Sequence, residues 1–360
     1  MKNIVFNFKK LDWVLIISTL FLVGFGLLSI YSSSRGDFLN FKKQIFFFLA
    51  GIFLMFLFSF FDWRNFRDTR IIFILYLISL FLLLGLFFFA PRIRGAKSWY
   101  KFYQFSFDPT EFVKVILILL LAKYFSAKHI EMYRLRHILI SGFYVFLPSL
   151  LIFLQPDLGS VLILIVFWVG VLIISGINLR QFLLLIFIFL IIFILGWNFF
   201  LKDYQKQRII SLFSPLDPLG ISWSQNQSKI AIATGGIFGQ GIKKGSQTQL
   251  GFLPEPQTDF IFAAIAEETG LIGILILLFL FSILIWRIIK IAIETDNNFS
   301  RLFASGFAIL LVCQVFINLG MNIGILPIIG IPLPFISYGG SNLIANFLTL
   351  GILQSIKKGY

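Results

Sequence analysis

Ionisable side chains are scarce in this sequence, so those beside or inside apolar runs stand out. Asp259 directly follows the one long polar segment, 202–258, and opens the apolar run Phe260-Ile261-Phe262-Ala263-Ala264-Ile265-Ala266. A carboxylate placed there can cap its own helix, accepting from orphan N–H groups at the positive end of the helix dipole. It can also act as a general base on a substrate brought to the membrane surface. Glu255 lies four residues before it, and Glu267 lies eight after it on nearly the same helical face. Acids within an apolar helix are costly and are functional suspects by default, so Glu267 and Glu268 join the candidates, with bonding to neighbouring helices as their other use.

Lys114 is the second such residue. It sits one turn into a helix opened by Asp108-Pro109-Thr110-Glu111, where Asp108 or Thr110 can cap and Pro109 suits the first turn. A lysine at mid-bilayer costs roughly 2.5–3.5 kcal/mol unless it snorkels or pairs. Its partner is either Glu111, three residues away on the same helix, or a carboxylate across the bundle such as Asp259. Before this helix, Arg92, Arg94, Lys97, Trp99 and Lys101 form a basic, aromatic stretch to which Arg208 and Lys229 can add. Such a stretch serves as an interfacial belt or binds a diphosphate.

The elements that must position these residues follow from composition. The chain is 59% hydrophobic with 48 phenylalanines and 13% charged residues, and its mean hydropathy is +0.94. That excludes a water-soluble domain and specifies an all-α polytopic membrane protein. The net charge of +14 does not indicate nucleic acid, because the cations lie at helix ends where they meet anionic headgroups. Cys313 stands alone within an apolar run, so no disulfide supports the loops. His129 and His137 lack acidic or thiol companions and are not read as metal ligands. The run after Lys9-Lys10 is longer than a signal-peptide core and lacks a small-x-small cleavage site, so a retained span is expected.

Apolar runs predict about ten spans, at Trp13–Tyr31, Gln44–Phe61, Ile71–Ala90, Glu111–Phe125, His137–Leu154, Leu158–Gly176, Gln181–Leu201, Phe260–Trp286, Leu302–Asn322 and Ser341–Ile356. They form a single integral membrane domain over 1–360, with 202–258 as one long loop between the seventh and eighth helices. Short-loop cations cluster on the side of the termini, which places both termini in the cytoplasm and the long loop outside. Gly235, Gly236, Gly239 and Gly241 follow no strand and lack dinucleotide-binding spacing, so a close-packed loop is expected there. No matched pair of broken helices of the transporter kind is visible. Pro327, Pro332 and Pro334 prevent a regular helix through 327–341, and non-helical backbone at membrane depth must be protein-buried or line a cavity.

Several stretches carry a resemblance in consistent order along the chain. They are Gly95-Ala96-Lys97-Ser98-Trp99, Pro109-Thr110-Glu111-Phe112-Val113-Lys114, Gln155-Pro156-Asp157-Leu158-Gly159, and the run from Gly245-Ser246-Gln247-Thr248-Gln249 through Pro254-Glu255 to Thr258-Asp259. Asn318-Leu319-Gly320-Met321-Asn322 and Leu333-Pro334-Phe335-Ile336-Ser337-Tyr338-Gly339-Gly340-Ser341 complete the set. Together they resemble the SEDS family (shape, elongation, division and sporulation), and its elongation branch more than its division branch. Asp108 stands where that family usually has glutamine, and Gln257 where it often has histidine.

The resemblance implies a peptidoglycan glycosyltransferase that polymerises lipid II into β-1,4 glycan strands at the outer face of the bacterial cytoplasmic membrane, for elongation and shape. It implies inverting transfer with Asp259 as general base and Lys114 as its ion-pair partner. Arg94, Lys97 and Arg208 would stabilise the leaving diphosphate. Trp99, Glu111, Glu255, Ser337 and Tyr338 fall in motifs expected to line the substrate cavity. No cofactor is required, with a divalent cation, Mg or Mn, as a candidate helper. A class B penicillin-binding protein and the elongation machinery are the implied partners. Two rivals are a lipid II flippase and a non-catalytic scaffold. The long loop ending on one carboxylate disfavours the flippase, and the intramembrane charges disfavour the scaffold.

Overall fold

The computed structural model describes residues 10–91, 97–103, 105–128, 135–200, 205–207, 210 and 221–359. Every expected span appears as a helix. They are α1 (Trp13–Ser32), α2 (Leu39–Phe60), α3 (Thr69–Phe89), α4 (Pro109–Lys128), α5 (Leu135–Leu154), α6 (Leu158–Ile174) and α7 (Leu179–Leu195). Within the polar segment lie α8 (Ile221–Gly235) and the short α9 (Ser246–Leu250). The bundle then closes with α10 (Ile261–Glu294), α11 (Asn298–Ile323) and α12 (Gly340–Lys358). An antiparallel hairpin missed by the sequence reading, β1 (Tyr100–Phe102) and β2 (Phe105–Phe107), precedes α4.

Seven of these helices are long and apolar enough to cross a membrane. Helices α4 and α12 do not meet that measure, because they carry the polar side chains of the interior. Glu111 and Lys114 of α4, and Asn342, Asn346, Thr349 and Gln354 of α12, are all buried. At the opposite extreme, the apolar stretch Leu179–Phe199 buries only Gln181 and Leu185, and Leu183, Phe187 and Leu190 are exposed in the manner of a lipid-facing helix. Helix α12 packs on α2, and α11 packs against α4, α6 and α10.

The helix after Asp259 is not the single regular helix that the sequence suggested. It breaks at Gly270, whose φ of 65° and ψ of −163° lie outside helical space. The glycine-rich stretch fills the break. Leu271 donates to the Gly236 carbonyl at 2.9 Å and Ile272 to that of Ile237 at 3.2 Å, while Gln240 and Gly241 donate to the carbonyls of Glu267 and Glu268 at 2.9 and 3.0 Å. Gly239, at φ +78°, lies so close to the Glu268 carbonyl that a Cβ would collide with it. These glycines are there for close backbone packing, as expected.

Candidate active site

Asp259 lies partly exposed just before the first segment of α10, and it is not the N-cap of that helix. The N-cap is Phe260, which makes no side-chain cap bond. The main chain around Asp259 is clamped from outside instead. Ser337 Oγ donates to the Thr258 carbonyl at 2.7 Å and accepts from the Leu333 N–H at 2.8 Å. Tyr338 N–H donates to the Gln257 carbonyl at 2.7 Å. The Asp259 carbonyl accepts from Asn318 Nδ2 at 3.1 Å and from Asn322 Nδ2 at 3.0 Å. Glu255, at φ +43°, turns the chain so that its carbonyl accepts from the N–H groups of Thr258 and Phe260. Its carboxylate accepts weakly from Thr258 Oγ1 at 3.4 Å.

The proline-rich break therefore forms a wall against the acid, as its prolines suggested. Gly330 faces the carboxylate closely enough that a Cβ there would sit 3.5 Å from Asp259 Oδ2. The neighbouring Ile329 carbonyl meets the start of α6, where a Cβ on Gly159 would lie 2.6 Å away. Stretch 329–331 thus connects Asp259 to a second polar group at the N-terminal ends of α4 and α6.

In that group Lys114 Nζ pairs with Glu111 Oε2 at 2.7 Å, both side chains being buried. Asn342 of α12 donates to the same oxygen at 2.8 Å. The structure thus realises the local partner for Lys114, where the resemblance had implied Asp259. Asp108 accepts from the Thr110 N–H at 2.9 Å, and its own N–H donates to Ser341 Oγ at 2.9 Å. Asp157 caps α6 through the N–H and hydroxyl of Ser160. The protein crowded around Asp108, with Glu111 and Asp157 nearby, pushes its carboxyl up to about 7, against the opposing pull of the Thr110 N–H and Lys114. Asp157 is also raised, chiefly by burial.

The remaining candidates divide. Lys97 donates to the Phe87 carbonyl at 2.7 Å and so braces the end of α3. Trp99 is partly exposed just before β1. Arg94 and Arg208 lie outside the described residues. Glu267 turns away from Asp259 and anchors α9, accepting from the N–H groups of Gln247 and Thr248 at 2.6 and 2.9 Å and from Thr248 Oγ1 at 2.6 Å. Glu268 accepts from Ser32 Oγ and from the Lys243 N–H, tying the same loop to α1. Both acids therefore hold the loop. Sequence reasoning passed over Asn318, Asn322 and Asn342 as functional residues, although amides buried in a membrane bundle are a visible signal. Among the described residues, no group of three or more His, Cys, Asp or Glu side chains is placed to hold a metal ion.

Fold and site together define a polytopic membrane protein with an acid held between buried asparagines and a broken membrane segment. The chain belongs to the FtsW, RodA and SpoVE family, whose model, described as a cell cycle protein, matches residues 12–359. This is the family its motifs resemble. The chain is 40% identical over 283 residues to the Escherichia coli protein named peptidoglycan glycosyltransferase MrdB, covering 78% of this chain and 76% of that one. It is similar to a solved chain described under structural coordination of polymerization and crosslinking by a peptidoglycan synthase complex, with a TM-score of 0.82, 30% identity, and coverage of 96% and 97%. The crystal structure of the Thermus thermophilus rod shape determining protein RodA gives a TM-score of 0.72 at 27% identity, with 96% of each chain covered.

Proposed function

We infer that the chain is a peptidoglycan glycosyltransferase of the elongation type, polymerising lipid II at the outer membrane face with Asp259 as general base. The relatives' names support the activity and the elongation role. The observation that carries the site is local: Asp259 stands at a helix start without capping it, its main chain clamped from three sides and its carboxylate facing Gly330. A carboxylate fixed in this way can take the proton from an acceptor hydroxyl as that oxygen attacks the anomeric carbon. The new glycosidic bond forms with inversion while the anomeric C–O bond to the lipid diphosphate breaks, and the diphosphate leaves with the electron pair.

The Lys114–Glu111 pair, linked to Asn342, supplies a rigid polar floor beside the acid. Ser337 and Tyr338 act through their hold on residues 257–258. Arg94 and Arg208, with Trp99 at the hairpin, are the groups proposed to meet the diphosphate and sugar. The described residues do not form a resident metal site, so no step is routed through one. Both termini are placed in the cytoplasm, and a class B penicillin-binding protein is the proposed crosslinking partner.

The test is polymerisation of lipid II by the purified chain together with that partner, beside a reaction lacking the chain. Glycan polymer from the wild type and none from folded Asp259→Asn supports the reading. Equal polymer from both moves the base elsewhere, with Asp157 next. An intact complex that makes no polymer but moves lipid II across vesicles would establish the flippase instead.

A further inference from the structure

Between the second half of α1 and the start of α2 lies an apolar groove of about 560 Å³. Phe21, Phe25 and Leu28 of α1 and Phe41 of α2 wall it, and Tyr31 stands at its loop-side end. Gly24 keeps it open, since a Cβ there would meet no atom within 4 Å. Phe21 and Leu28 are 60% and 54% exposed, so in a membrane the groove opens to lipid and not to the bundle. It runs from Phe21 to Tyr31 along α1. At the helical rise per residue this is about 15 Å. One leaflet supplies about half of the roughly 30 Å hydrocarbon core. The groove and a single acyl chain therefore match in length.

The loop-side end is built to meet a charge. Tyr31 packs on Phe38 and Phe41, with ring centroids 5.4 Å apart in each pair. Lys243, from the loop between α8 and α9, lies over this group with Nζ 3.8 Å from the centroid of the Tyr31 ring. Main-chain bonds fix it there: its backbone is left-handed at φ +62°, and its N–H donates to Ser32 Oγ at 2.8 Å and to Glu268 Oε1 at 3.3 Å. Among the described residues, no carboxylate pairs with its ammonium group. The nearby stretch 35–43 adds Arg35, Lys42 and Lys43 against one acid, Asp37. Arg35 is held to the Thr248 carbonyl.

We propose that the groove between α1 and α2 binds one anionic phospholipid from the leaflet on the side of the long loop, with an acyl chain along Gly24 and the phosphate on Lys243. Two physical reasons support this occupant. Apolar walls that face one another across a groove gain dispersion contacts only when a chain of matching shape lies between them. A cation fixed at the membrane surface attracts an anionic headgroup over a zwitterionic one. The length favours an acyl chain over a polyprenyl chain, which would overrun a groove one leaflet deep. Lys243 also docks its loop on α1 through Ser32 and Glu268, so the lipid would bear on the residue that joins loop to bundle. None of this depends on the role of Asp259.

The experiment is native mass spectrometry of the full chain in detergent, titrated with phosphatidylglycerol, phosphatidylcholine and a polyprenyl diphosphate. The variants are Gly24→Leu, which fills the groove from its own wall, Lys243→Gln, Lys243→Arg, and Leu183→Phe on the lipid-facing side of α7 as a control. The wild type is expected to hold one phosphatidylglycerol more tightly than phosphatidylcholine. Displacing two methylenes of the chain in Gly24→Leu is expected to weaken it by more than about tenfold. Lys243→Gln is expected to lose about fivefold for phosphatidylglycerol alone, the contribution of one lysine beside an anionic lipid, and Lys243→Arg to recover it. Leu183→Phe is expected to bind as the wild type does. Equal phosphatidylglycerol affinity in the wild type and Gly24→Leu would overturn the proposal. So would equal affinity of the wild type for the two phospholipids. A polyprenyl diphosphate that binds more tightly than phosphatidylglycerol, and is lost in Gly24→Leu, would overturn it in favour of the substrate's own chain. If Gly24→Leu does not fold, Gly24→Val enters the same open space and carries the same readout.

Discussion

Asp12 and Asp259 both precede apolar helices, and their surroundings use them differently. Asp12, at the start of α1, accepts from the Leu15 N–H at 3.1 Å and so caps its own helix. It also forms a buried, forked ion pair with Arg287 of α10 and exchanges main-chain bonds with the Gln354 side chain of α12. Every capacity of that carboxylate is used in joining three helices at one end of the bundle. Asp259, at the other end, precedes a helix whose N-cap is Phe260, and Asn322 Oδ1 accepts from the Ala263 N–H in its first turn. The first acid joins helices, while the second stands against the broken segment, with Gly330 facing its carboxylate.

The sharpest way to break this comparison is the same substitution at both positions. Asp259→Asn is expected to lose about two to four orders of magnitude in polymerisation rate, the range for a positioned base, with little change in melting temperature. Asp12→Asn retains a cap but leaves Arg287 without its counter-charge. It is expected to destabilise the fold by about 3 kcal/mol while the activity per folded molecule stays at the wild-type value. Thermal denaturation in detergent beside the polymer gel reads both. Reversed results would place the chemistry at the wrong end.

Two smaller effects sharpen it. Glu267→Gln weakens the charge-assisted bonds to α9 and is expected to cost about 1.5–3 kcal/mol in holding the loop, read as faster proteolysis within residues 240–252. A chemical role for Glu267 would instead show as lost rate with the loop still protected. Asp108→Asn tests the neighbouring carboxyl group through pH. The folded-state value is raised from 3.8 to about 7. The folded chain therefore holds this proton more firmly than the unfolded chain, and the resulting stability, full at low pH, is lost as pH rises through about 7. Asparagine stays neutral throughout, so the variant's melting temperature should gain on the wild type between about pH 4 and pH 8. A constant difference across that window would mean that Asp108 does not titrate there.

Much of this molecule was legible in its residues. Apolar runs of bilayer length located every helix of the bundle, because hydrocarbon demands about 20 apolar residues per span whatever the neighbours are. Pro327, Pro332 and Pro334 marked the broken wall, since proline removes a donor wherever it stands. Asp259 and Lys114 stood out because charge in an apolar run is costly in any fold. What no local rule could decide was how each polar group spends its hydrogen bonds. Asp12 and Asp259 occupy similar sequence contexts, and only packing shows that Arg287 and Gln354 claim the first while Asn318 and Asn322 hold the main chain of the second. The same holds for Glu267, which shares a helix with Asp259 yet serves α9, and for Lys114, whose choice of Glu111 depends on where Asn342 of α12 arrives. Span and breakage are properties of a segment, written in its own composition. Allocation of a buried donor or acceptor depends on partners tens to hundreds of residues away, and these meet only when the tertiary structure forms.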